Sequence, residues 1–118
     1  MGEDYFDDLA KRLRRFADQR DWDQFHAPKN LAMALIVEVA ELVEEFQWLD
    51  PEESAHPDPE TRRRIEQEMA DVLIYLVRMA DKLKVDLPAA VSAKIENNEH
   101  KYPAERVRGN STKYDRYE

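Results

Sequence analysis

The chain has 118 residues, enough for one modest domain with a core of its own. Its 18 Lys and Arg stand against 26 Asp and Glu, and the resulting net charge of −8 opposes general binding to a nucleic-acid polymer. With no cysteine, it has neither a disulfide framework nor thiolate chemistry.

Only two glycines occur, Gly2 and Gly109, too few for the turns of a hairpin-rich β fold, so an all-α chain is expected. The opening stretch, MGEDYFDDLAKRLRRF, lacks the apolar centre of a signal peptide. No apolar run approaches the roughly 20 residues of a membrane span. A cytoplasmic protein without membrane association is therefore expected. Phe6, Leu9, Leu13 and Phe16 recur at helical spacing and predict a first helix over 4–20. After the linker DWDQFHAPKN, Pro28 suits the first turn of a second helix, 28–48. LDPEESAHPDPE reads as a proline-rich connection. Asp58 before Pro59 is a candidate N-cap for a third helix, 59–84. Asp86 can cap a fourth, 87–99, with Leu87, Val91 and Ile95 on one stripe. An irregular tail, 100–118, completes a single domain, 1–118.

The second and third helices are apolar on more than one face. Leu31, Met33, Leu35, Ile36 and Val37 surround one axis; Val72, Leu73, Ile74, Leu76 and Val77 surround the other. A helix apolar all round is buried all round, and one short chain has too few partner helices to cover both. The surplus predicts a homo-oligomer, a dimer or a dimer of dimers.

Glu38 and Glu41 interrupt the apolar run of the second helix, and Glu68 and Asp71 that of the third. Carboxylates buried without a compensating charge are strongly unfavourable. No Lys or Arg lies between Asn30 and Pro59 to supply that charge locally. Residues about three or four apart share a helix face, so each pair points one way. If the helices pack antiparallel, four acids converge. Hard oxygen ligands of this kind suit Mg²⁺ or Mn²⁺. Zinc would call for His or Cys at ligand spacing, and a di-iron site for Glu-x-x-His. Glu45 continues the line of Glu38 and Glu41 but is read, with Glu44, as part of a solvated stripe.

Glu-x-x-Glu on one helix followed by Glu-x-x-Asp on the next resembles the signature of the MazG-like all-α nucleoside triphosphate pyrophosphohydrolases. Here it reads E38-V-A-E41 and E68-M-A-D71. Many members carry a further Glu where this chain has Val37. RDWDQFH, N30-L, EFQW, DVLIYL, VDLP, KYP and R108-G…K113-Y114 are similar to the dCTP-pyrophosphatase branch of that family, over about residues 9–114. The resemblance implies a four-helix protomer, a homodimeric or homotetrameric (dimer-of-dimers) helical bundle and Mg²⁺-dependent hydrolysis. It implies a deoxynucleoside triphosphate as substrate, dCTP or a C5-modified dCTP, cleaved to the monophosphate and pyrophosphate. It also implies Glu38, Glu41, Glu68 and Asp71 as metal ligands; Glu41, which could reach both metal and water, is expected to activate the water, with Glu38 the alternative. The alternatives are another nucleotide preference (dUTP or an oxidised purine) and a non-catalytic helical module that binds Mg²⁺.

For the base and sugar, aromatic faces are expected from Trp48 at the end of the second helix and from Trp22 in the linker. His26 is a candidate contact to base or phosphate, and Tyr75 lies one turn after Asp71. Asn98 replaces an apolar residue on the stripe of the fourth helix and calls for a hydrogen-bond partner. Tyr102 follows that helix. Lys101, Arg106, Arg108, Lys113 and Arg116 are opposed only by Glu105 and Asp115. Arg108 and Lys113 are therefore candidate triphosphate contacts.

Overall fold

Proline opens four of the six described helices. Pro28, Pro51, Pro59 and Pro88 each occupy one of the first two positions of a helix, where the missing N–H is not needed. The structure, a computed structural model, describes residues 3–109. Within them α1 spans Glu3–Gln19, α2 Pro28–Glu44, α3 Pro51–Ala55, α4 Pro59–Leu83, α5 Leu87–Lys101 and α6 Ala104–Val107. A 3-10 turn, Asp23–Phe25, precedes α2, and no strand occurs among the described residues. The chain is all-α.

Both expected N-caps form. Asp58 Oδ1 accepts the Thr61 N–H at 2.8 Å, and Asp86 Oδ1 accepts that of Ala89 at 3.1 Å. The elements differ from the sequence expectation in several places. The helix placed over 28–48 ends at Glu44, where the Glu45 and Phe46 N–H groups turn to the carbonyls of Leu42 and Val43, three residues back. The proline-rich connection contains α3, held by a reciprocal capping box. Asp50 Oδ1 accepts from the Glu53 N–H at 2.7 Å, while Glu53 Oε1 accepts from the Asp50 N–H at 2.9 Å. The fourth expected helix runs two residues further, to Lys101, and the tail expected to be irregular contains α6. Its final residues, 110–118, lie outside the described part.

The chain divides into two compact units between Val85 and Asp86. In the first, α4 packs on both α1 and α2. Ala17 of α1, Leu31 of α2, and Ile65, Val77 and Ala80 of α4 are its buried apolar residues. Helices α2 and α4 run antiparallel: Glu45, just past the end of α2, meets Arg64 near the start of α4, while His26, just before α2, meets Arg78 near the end of α4. Lys84 ends α4 in the left-handed conformation (φ 60°), and the Val85 N–H returns to the Ala80 carbonyl at 2.9 Å. Met33, Ile36, Val37, Val39 and Val43 of α2, and Met69 of α4, remain exposed. In the second unit α5 exposes Val91 and Ile95, two members of its expected stripe.

Candidate active site

The seam between α2 and α4 holds three polar groupings in succession. At one end Arg64 Nε lies 3.1 Å from Glu45 Oε1. Glu45 is thus neutralised by a cation from α4 and does not join the acids beside it.

Next come Glu38 and Glu41 of α2 with Glu68 of α4. Each is half-buried, and each offers a carboxylate oxygen within 4.8 Å of the others. Nothing in this geometry favours the metal-free charged state. Glu38 Oε2 and Glu68 Oε2 are both buried and lack a hydrogen-bond partner. Burial first, and then the neighbouring Glu41 charge, push the Glu38 carboxyl up to about 6. Glu68 is raised in the same direction by burial and by Glu41. Asp71 stands outside the set of three but is near enough for its charge to raise both Glu38 and Glu68. Orphaned buried oxygens on convergent acids fit a hard divalent cation, which would relieve both the repulsion and the lost hydrogen bonds.

Further along the seam lies a cavity of about 150 Å³. Phe16, Trp22, His26, Leu31, Tyr75 and Arg78 are among its walls. Trp22 packs edge-on against Phe16, with ring centroids 5.7 Å apart. Three expected substrate residues, Trp22, His26 and Tyr75, are thereby brought together. The residue missed by sequence reasoning is Arg78, only 4% exposed. Its Nη2 donates to Asp23 Oδ1 at 2.6 Å, its Nη1 to Asp81 Oδ2 at 3.3 Å and its Nε to His26 Nδ1 at 3.1 Å. Arg14 also binds Asp81, at 2.6 and 3.0 Å, and Lys82 binds Asp23 at 2.9 Å. Asp81 is held below the usual carboxylate range mainly by Arg14, and Asp23 mainly by Lys82. A lone cation in the apolar run LIYLVRMA was the available signal, by the same burial argument that picked out the acids.

Trp48 is not brought to this cavity. It is 86% exposed and lines a separate, open pocket of about 660 Å³ with Glu45, Asp50, His56 and Arg64. Asn98, Tyr102 and Arg108 belong to the second unit, where Asn98 is half-buried and Arg108 exposed. The Tyr102 N–H donates to the Asn98 carbonyl at 2.8 Å, closing the end of α5. Lys113 lies outside the described residues.

The family model described as "MazG-like family" matches residues 33–116. The chain is 44% identical to the dCTP pyrophosphatase 1 of Bos taurus over 115 residues, covering 95% of this chain and 68% of that protein. The identity to its Homo sapiens counterpart is also 44%, over 114 residues, with 95% and 67% covered. A crystal structure of a pyrophosphatase from Archaeoglobus fulgidus superposes with a TM-score of 0.79 at 42% identity, covering 84% of this chain and 93% of that one. The chain belongs to the MazG-like family and, within it, to the nucleoside triphosphate pyrophosphohydrolases.

Proposed function

We propose that the protein hydrolyses dCTP, or dCTP modified at cytosine C5, to the monophosphate and pyrophosphate, using Mg²⁺ (or Mn²⁺) held by Glu38, Glu41, Glu68 and Asp71. The observation that carries this reading is the pair of buried, partnerless oxygens on Glu38 and Glu68 within a convergent acid cluster. The cation, when bound, supplies positive charge against the phosphate oxygens and makes a bound water more acidic. The chain's own carboxylates do the rest. Glu41, or Glu38 beside it, orients the attacking water toward the α-phosphorus and takes its proton. The identities to dCTP pyrophosphatases support cytosine as the base. The aromatic walls beside Trp22 and Tyr75 suit a stacked base, and His26 a polar contact to it. Trp48, Asn98, Tyr102, Arg108 and Lys113 are further proposed substrate contacts, each to be tested by substitution.

The active unit is a homo-oligomer, most simply a dimer of dimers working in the cytoplasm, and its support is the run of exposed apolar residues along α2. The chain is proposed to act as one domain, supported by a family match, 33–116, that includes residues on both sides of Val85. Purified protein incubated with each deoxynucleoside triphosphate, with Mg²⁺ and then with chelator, tests the proposal. Monophosphate and pyrophosphate from dCTP are expected, and only with metal. Diphosphate and orthophosphate as products would sink α–β cleavage, and metal-independent turnover would sink the role of the acids.

A further inference from the structure

Arg78 is a buried cation for which the reaction so far has no use. Its guanidinium carries only donors and does not lose its proton. At 3.1 Å its Nε–H is aimed at His26 Nδ1. That nitrogen must therefore present its lone pair. This excludes the imidazolium, in which both nitrogens carry protons, and it excludes the tautomer with the proton on Nδ1. The guanidinium is itself immobilised: Asp23 holds Nη2 from the linker and Asp81 holds Nη1 from the next turn of α4. Arg14 of α1 pins Asp81 in turn. The ring it controls is part of the wall of the aromatic cavity. With Nδ1 taken, any ring nitrogen that His26 offers to an occupant is Nε2, and it offers a hydrogen.

We propose that Arg78 is a positioning residue for base selection: it locks His26 as an Nε2–H donor, so that the cavity reads the acceptor edge of a pyrimidine and favours cytosine over thymine or uracil. The inference rests on the reading of the protein as a deoxynucleotide hydrolase and names how that site would choose its base. Cytosine presents a lone pair at N3 beside the O2 acceptor. Thymine and uracil carry N3–H, which opposes a donor set against N3, the position the proposal gives to His26 Nε2–H, although their O2 and O4 would accept one elsewhere. A histidine free to exchange tautomers would accommodate either edge, whereas one fixed by Arg78 cannot. The charged groups around His26 are Arg78 and Lys82 from α4 and Asp23 from its own linker; burial first, then Arg78, disfavours the cationic ring, and Asp23 only partly offsets this.

Proton–nitrogen correlation spectra of the histidine-labelled full chain test the lock directly, with His26→Asn identifying the signal. A neutral ring protonated at Nε2 is expected at neutral pH. A proton on Nδ1, or a cationic ring at neutral pH, overturns the proposal with no variant needed. Arg78→Met is expected to release the ring. Its titration should move up toward about 6.5, and the dCTP-over-dTTP ratio of kcat/KM should fall about tenfold, the equivalent of one hydrogen bond. A merely structural role for Arg78 would lower both substrates' kcat/KM together, so an unchanged ratio in folded Arg78→Met overturns base selection. Absence of hydrolysis of every deoxynucleotide removes the functional reading, and base selection with it, while a hydrolase whose His26 is protonated on Nδ1 removes this inference alone.

Discussion

Single side chains settle most of what the seam can do. Glu41 offers a carboxylate oxygen within 4.8 Å of those of the other two acids of its cluster, and water activation is its proposed role. Glu41→Gln is expected to leave a folded helical protein whose turnover is at least about a hundredfold lower, read from pyrophosphate release. Unchanged turnover would remove Glu41 from the reaction. Glu38 keeps its proton up to about pH 6, above the ordinary carboxylate range. A folded-state pKa raised in this way favours the fold below the unfolded value and ceases to do so as pH rises through about 6. Metal-free protein is therefore expected to melt several degrees lower at about pH 7.5 than at about pH 5, and Mg²⁺ to restore the difference. Glu38→Gln should flatten that dependence in a calorimetric scan. Asp23 and Asp81, whose carboxyls are held low, act in a separate and more acid window, where stability falls with falling pH. The convergence of Glu38, Glu41 and Glu68 was legible in the sequence because a charge among aliphatic residues is anomalous on its face, while Asp71, expected as the fourth, stands outside the set of three. Arg78 is the same kind of anomaly, but two of its partners, His26 and Asp23, lie 52 and 55 positions away, and no local spacing connects it with them.

Among the elements, the legible ones are those with chemical punctuation. Asp58-Pro59 and Asp86-Leu87-Pro88 pair a cap with an early proline, and α4 and α5 start there. The end of α2 carries no such mark. Apolar periodicity continues through Phe46 and Trp48 while the backbone has already tightened into turns, so the pattern overshoots by a turn. Helix α3 was marked, by Asp50 and Glu53 at capping-box spacing, but prolines at 51, 57 and 59 read more strongly as a linker. The packing of α2 on α4 rests on a small buried set, and Leu31, only 2% exposed, is its α2 member. Leu31→Ala is expected to lower unfolding stability by about 2–5 kcal/mol in urea titration. A loss well below that range would mean that Leu31 is not an anchor of the α2–α4 contact. Because Leu31 also lines the aromatic cavity, the same change should widen it and raise KM before kcat falls.

For the whole molecule, the decisive feature is what one chain leaves uncovered. Ile36 is 68% exposed, Met33 58% and Val43 56%, all on α2. Apolar side chains concentrated on one helix are characteristic of a surface meant for another chain. Native protein is expected to sediment as a multiple of the 14.0 kDa chain. Ile36→Glu, which puts a charge into that surface, should shift it to smaller species with loss of activity. A wild-type monomer in sedimentation would refute the assembly. The exposed apolar surplus on α2 was legible in the helix pattern, since Met33, Ile36 and Val37 surround an axis that one short chain has too few helices to cover. The contacts and symmetry of an assembly would depend on matching surfaces of two copies, which a linear pattern does not encode.

Trp48 gives the molecule an optical consequence. It stands almost fully in solvent at the rim of the open pocket, while the chain's other indole, Trp22, leans on Phe16. The two chromophores therefore sit in unlike surroundings, one water-bathed and one partly shielded, and should emit at different wavelengths. In an isolated chain Trp48 supplies the red component. Burial of its ring by a nucleotide or a neighbouring subunit should move that component to the blue, a change that Trp48→Phe abolishes and Trp22→Phe preserves. Dilution without nucleotide separates the two causes, so the protein carries its own fluorescent gauge of assembly and occupancy.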